Sequence, residues 1–80
     1  MEKEIGKIAH FFDKIGVAVL SLSDTLKVGD KIRIESSEPF VQIVMSMQMD
    51  HKEIKEAKKD TDVGLKVDKP CNDGDKVIRL

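Results

Sequence analysis

Basic side chains crowd one short polar segment of this chain. Ammonium groups attract phosphates without reading bases, so such a cluster predicts contacts to an RNA backbone or to a protein partner. Interleaved glutamates offset part of the charge, and a solvated charged face is the alternative interpretation. The predicted contact residues are His51, Lys52, Lys55, Lys58 and Lys59, with Arg33 added from an earlier segment.

Motifs for enzymatic chemistry are missing from the sequence. It contains no Gly-x-x-x-x-Gly-Lys-Ser/Thr loop for nucleotide phosphates, no His-Glu-x-x-His and no Cys-x-x-Cys. Asp73 and Asp75 are typical of turn caps rather than of acid–base catalysis or calcium binding. We therefore predict a protein that is not an enzyme, has no catalytic or metal-binding residues, needs no cofactor and binds no nucleotide of its own.

Two further sets of residues have competing interpretations. His10 is predicted to be a partly buried strand histidine, and Cys71 could bind a metal with His10 or His51 only if the fold brought them together. Met45, Met47 and Met49 share strand spacing, which favours core filling, with a Met-rich docking surface as the alternative.

The elements that must position these side chains are strands joined by tight corners. Gly29-Asp30 and Gly74-Asp75 each precede an apolar run, and glycine followed by aspartate suits a tight strand entry. Residues 31–36 and 63–67 alternate between apolar and polar side chains, which is the strand period. The other predicted strands are 5–12, 15–22, 40–50 (with a bulge midway) and 75–80.

These segments predict an all-β fold. We expect residues 1–80 to form a single domain, a small closed or nearly closed six-stranded β-barrel. Ile54 and Ala57 are three residues apart in the segment 51–59, which predicts one short helical turn with both side chains inward.

The overall composition of the chain argues against several classes of function. The formal net charge of −1 gives no general attraction to nucleic acid, although local basic patches remain possible. The single cysteine excludes an internal disulfide and favours a reducing compartment, and no apolar run is long enough to span a bilayer. We therefore expect a cytoplasmic protein that does not bind membranes.

The ordered series of motifs resembles domain two of the translational GTPases, the β-barrel that follows the nucleotide domain in elongation factor Tu. The series is Leu26 to Ile32, Val44 to Gln48, Ile54 and Ala57, Val63-Gly64-Leu65 and Gly74 to Val77. It covers nearly the whole chain, although Asp60-Thr61-Asp62 departs from the family's usual Gly-Asp. The nearest description is a stand-alone, archaeal-type elongation-factor-like protein. The same barrel also resembles a C-terminal domain of some collagenase-like peptidases.

The resemblance implies a non-catalytic binding module related to translation, with tRNA or the ribosome as its partner. The alternative is a protein-interaction module that docks on a larger enzyme, which suits the near-neutral charge better.

Overall fold

The fold is built entirely from short strands in the part of the chain that the structure, a computed structural model, describes, residues 2–80. The strands are β1 (Lys3–Phe12), β2 (Val17–Leu22), β3 (Leu26–Lys27), β4 (Lys31–Glu35), β5 (Phe40–Ile43), β6 (Met47–Met49), β7 (Lys52–Ile54), β8 (Glu56–Ala57), β9 (Asp62–Lys66) and β10 (Lys76–Arg79). The all-β prediction is confirmed.

Eight of these strands form one antiparallel sheet with the order β5-β4-β10-β1-β2-β9-β6-β7. The remaining two, β3 and β8, form a separate two-stranded ribbon. The sheet is an open, curled half-barrel, so the predicted closed barrel of six strands is wrong. Barrel closure would need β5 and β7 to pair, and these two strands have one neighbour each.

The curl of the sheet follows from one short connection. β5 is at one end of the strand order and β6 is next to the other end, yet only residues 44–46 separate them along the chain. Four Cα steps span at most about 15 Å, so the two ends of the sheet must come close together. The sheet therefore curls around a single core that includes Ile8, Leu20, Ile32 and Leu65.

The side chain of Gln42 bridges the gap that the curl leaves. Its amide nitrogen donates to the Lys66 carbonyl, and its amide oxygen accepts from the Asp68 N–H, both at 2.9 Å. Gln42 is the one buried polar side chain found within residues 2–80. The side chain thus supplies, across the gap, the donor and acceptor that a paired strand would supply.

The two Gly-Asp corners are confirmed as structural copies. Gly29 and Gly74 have φ angles of 98° and 89°, in the left-handed region that favours glycine. The following aspartates, Asp30 and Asp75, each accept a hydrogen bond from the backbone N–H three residues earlier, at 2.9 and 2.7 Å. Each corner then leads directly into a strand, as the sequence predicts.

The predicted helical turn at 51–59 is wrong, because β7 and β8 occupy this segment. Lys55 forms a bend between the two strands, and a bend changes which face successive residues point to. Ala57 is buried and Ile54 packs partly against the core, so the inward prediction for both is right. In this segment, two strands joined by a bend bring Ile54 and Ala57 to the same side of the chain, as a helical turn would.

The predicted continuous strand 40–50 is also interrupted. Val44 ends the run by bonding the corner before β4: its N–H donates to the Asp30 carbonyl and its carbonyl accepts from the Gly29 N–H. The chain then crosses to β6, and the inward face changes from Phe40 and Val44 to Met47. The expected change of face is present, but a break causes it rather than a bulge.

A bulge occurs instead in β1, where the pairing with β2 shifts between Ile8 and His10. The extra residue reverses the alternation along β1, so Phe11 packs against the core and His10 faces outward. His10 is consequently exposed rather than partly buried, and it contacts the ring of Phe12 edge-on with centroids 4.3 Å apart.

The β6–β7 hairpin turn gives the first prediction. Asp50 and His51 form its two-residue loop, with φ angles of 53° and 64°, as a type I′ turn requires. Because Asn-Gly adopts these angles at lower cost, D50N/H51G should raise the free energy of unfolding by about 1 kcal/mol in urea titrations. The matched control is D13N/K14G in the β1–β2 connection, where neither φ is positive. An equal gain in both variants would contradict the assignment.

The Gln42 bridge gives the second prediction. Q42L removes the partner of the Lys66 carbonyl and of the Asp68 N–H at a partly buried site, so we expect a loss of about 1–3 kcal/mol of unfolding free energy. Q48L is the matched control, because Gln48 is exposed on β6, and it should stay within about 0.5 kcal/mol of the native chain. Equal stability of the two variants would show that the bridge is dispensable.

Candidate functional site

Arg33, one of the predicted contact residues, is already engaged by two carboxylates. It lies on β4, where its guanidinium contacts Glu2 at 2.6 Å and Glu35 at 2.9 Å. These hydrogen bonds raise the pKa of Arg33 and lower the pKa of Glu2. A phosphate would have to displace both partners, so Arg33 is poorly prepared to bind one.

The other predicted contacts lie along the far end of the sheet. His51 is in the β6–β7 turn, Lys52 is on β7, and Lys55 follows it; Lys58 and Lys59 come after β8. All five are exposed. Arg33 lies on a different strand, β4, where its guanidinium is held by Glu2 and Glu35. The role of these residues remains a prediction.

A polar groove between β3 and β10 carries charges that satisfy one another. Asp24 accepts from Lys3 at 2.8 Å and from Arg79 at 3.2 Å. The hydrogen bond from Lys3, followed by that from the Thr25 N–H, lowers the pKa of Asp24 to about 2. The groove therefore holds an internal ion-pair network that ties β10 to the β2–β3 connection.

Cys71 is buried close to Asp73 and Asp75. Loss of solvent, and then the two negative charges, raise the pKa of its thiol to about 11. A thiol with this pKa is protonated at neutral pH and is a poor nucleophile or metal ligand. Within residues 2–80, no three His, Cys, Asp or Glu side chains are grouped to hold a metal.

The most unusual surface is apolar and lies at the β5 end of the sheet. Val41 and Ile43 on β5 are 47% and 43% exposed, and Met45 just beyond is 78% exposed. Val28 beside them is also exposed. We call Val28, Val41, Ile43 and Met45 the β5 surface. Contiguous exposed apolar side chains of this kind mark interaction sites in soluble proteins.

The two ends of the sheet are protected differently. β7 has the sequence Lys-Glu-Ile, and charged side chains discourage pairing with another strand. β5 has the sequence Phe-Val-Gln-Ile and carries no charge. The exposed side chains of β5 are thus apolar where those of β7 are charged, which sets β5 apart from β7.

A groove of about 420 Å³ extends the β5 surface toward β7. It is lined by Val28, Met45, Glu53, Ile54 and Lys55. Met45 therefore belongs to a surface rather than to the core, while Met47 is fully buried and Met49 partly so. The core-filling prediction holds for Met47 and is wrong for Met45. The sequence signal for this surface was the apolar alternation from Val41 to Met45, and the interruption after Val44 separates these residues from the buried Met47.

Comparison with known proteins shows that the chain is similar in sequence to part of a protease. It is 38% identical over 79 residues to an uncharacterised protease of Methanocaldococcus jannaschii, a match that covers 96% of this chain and 19% of the protease. The chain thus spans about a fifth of that relative's length. No family model matches the chain.

Solved structures show the same fold. Two structures of the C-terminal domain of a Geobacillus thermoleovorans protein named as a U32 peptidase superpose with TM-scores of 0.91 and 0.89. They are 17% and 20% identical to this chain; both matches cover 98% of it, and 92% and 99% of the respective domain.

These findings correct the first resemblance. The expected relationship to domain two of elongation factor Tu, and with it the tRNA or ribosome partner, is wrong, because the similar proteins are a protease and peptidase domains. Gly-Asp corners and alternating strands encode a curled β-sheet, and that architecture is not specific to translation. The second resemblance, to a C-terminal peptidase domain, agrees with the comparisons.

In the described part of the chain, no helix could cross a membrane.

Proposed function

We propose that this chain is a protein-binding module of a peptidase and that the β5 surface docks it on the catalytic body. The observation that carries the proposal is the uncharged, exposed end of the sheet at Val41, Ile43 and Met45. The similarity to a segment that makes up 19% of a protease, and to a separately folded peptidase domain, supports a large neighbouring body as the partner. In this proposal, catalysis takes place on that body.

Of the predicted basic residues, Lys55 fits this proposal best, because it lines the groove beside Met45. Burying the apolar side chains would supply affinity, and Lys55 at the rim would supply orientation through a carboxylate of the body. The partner is then a protein surface with an apolar centre and an acidic border.

A chimera tests the proposal: the full-length Methanocaldococcus protease with its matching segment replaced by this chain. Docking stabilises the module, because the body binds only its folded state. By calorimetry, the module should unfold at a higher temperature in the chimera than as the free chain. M45E should remove about 5–10 °C of this gain, since it places a charge in an apolar contact.

Ile15 offers a matched control, because it is 65% exposed and lies in the β1–β2 connection. I15E should leave the gain intact. Identical unfolding temperatures for the free chain and the chimera, or equal effects of M45E and I15E, would contradict docking through the β5 surface.

A further inference from the structure

A glycine occupies the middle of β9, where a strand usually carries a side chain. Gly64 lies between the buried Val63 and Leu65, so a side chain there would point to the outer face of the sheet. Its φ angle is outside the left-handed region, and an added Cβ would meet only Val17 Cγ1 at 3.6 Å and the Gln48 carbonyl at 3.8 Å, both ordinary contacts. Neither backbone conformation nor packing within the chain therefore requires glycine at this position.

The missing side chain leaves a groove of about 140 Å³ on the outer face of the sheet, which we call the Gly64 groove. Its lining consists of Val17, Ser46, Gln48, Gly64 and Lys66. A glycine inside a strand lowers stability relative to alanine, and it often marks a place where a ligand or another chain approaches closely. A cavity of about 150 Å³ can hold a molecule the size of benzene, so the Gly64 groove has room for one side chain.

The groove offers hydrogen-bond donors and one positive charge. The side chains of Ser46, Gln48 and Lys66 take part in no hydrogen bond or ion pair within residues 2–80. Hydroxyl, amide and ammonium groups can all donate to a carboxylate, and the bond from the ammonium is strengthened by its charge. The chemistry of the lining therefore favours an acidic side chain.

The Gly64 groove adjoins the β5 surface. Ser46 follows Met45 directly in the chain. Lys66 lies beside β5, because its carbonyl accepts from the Gln42 amide at 2.9 Å. A protein that covers Met45 would therefore reach the groove with its neighbouring residues.

We propose that an acidic side chain of the peptidase body inserts into the Gly64 groove and pairs with Lys66. The inference rests on the proposed function and adds a second contact to the same interface. The apolar β5 surface supplies affinity, whereas a groove that admits one side chain fixes the position of the body relative to the module.

Calorimetry on the free chain and on the same chimera tests the insertion with G64A. In the free chain, alanine should raise the unfolding temperature by about 3–6 °C, since it removes the cost of a strand glycine and its Cβ has room. In the chimera, the added methyl group takes space that the inserted side chain needs, so the gain from docking should fall by at least about 4 °C. A variant that stabilises the free module while it weakens docking separates the groove's role in binding from a role in folding.

K66E tests the charge in the same assay. It should lower the gain from docking by about 4–8 °C, because it brings two carboxylates together, and K66M should lower it less. Lys7 offers the matched control: it is exposed on β1, forms no ion pair within residues 2–80, and has β2 between its strand and β9. K7E should leave the gain unchanged.

Four results would overturn the inference. If G64A raises both unfolding temperatures equally and K66E matches K7E, while M45E still removes the gain, the groove lies outside the interface and the proposed function stands. If G64A destabilises the free chain, the fold itself requires the glycine. If the free chain is dimeric at micromolar concentration and G64A makes it monomeric, a second copy fills the groove. If the chimera shows no gain at all, docking itself fails.

Discussion

The amide of Gln42 makes the contact on which the shape of this molecule depends. The short 44–46 connection forces the two ends of the sheet together, but it provides no ladder between them. Gln42 supplies one donor and one acceptor across that gap, to Lys66 and Asp68. A buried amide without these partners would be costly, so the side chain fixes the distance between β5 and the end of β9.

The inward direction of Gln42 also determines which residues of β5 face solvent. Strand geometry sends Phe40, Gln42 and Val44 to the core and leaves Val41 and Ile43 on the outer face. One strand therefore packs on the core and bridges the gap with one set of residues, and it displays an apolar face with the other. At the opposite end of the sheet, the charges of β7 prevent the same use.

Alternation and corner chemistry were readable from the sequence. Ile32 and Ile34, and likewise Val63 and Leu65, are buried as their period predicts, and both Gly-Asp corners have the expected conformation. The helical turn and the continuous strand 40–50 failed for one reason. The bend at Lys55 and the break after Val44 involve hydrogen bonds with residues far along the chain, such as those between Val44 and Gly29 or Asp30, which local spacing cannot reveal. The β5 surface was hidden by the same break, because Met45 follows the period of Met47 but points elsewhere.

A crystal structure of the Methanocaldococcus chimera would test the central claim most directly. The account predicts that the peptidase body covers the exposed side chains of Val41, Ile43 and Met45. A body that leaves β5 in solvent and instead contacts the opposite hairpin at Phe12 and Ile15 would contradict it.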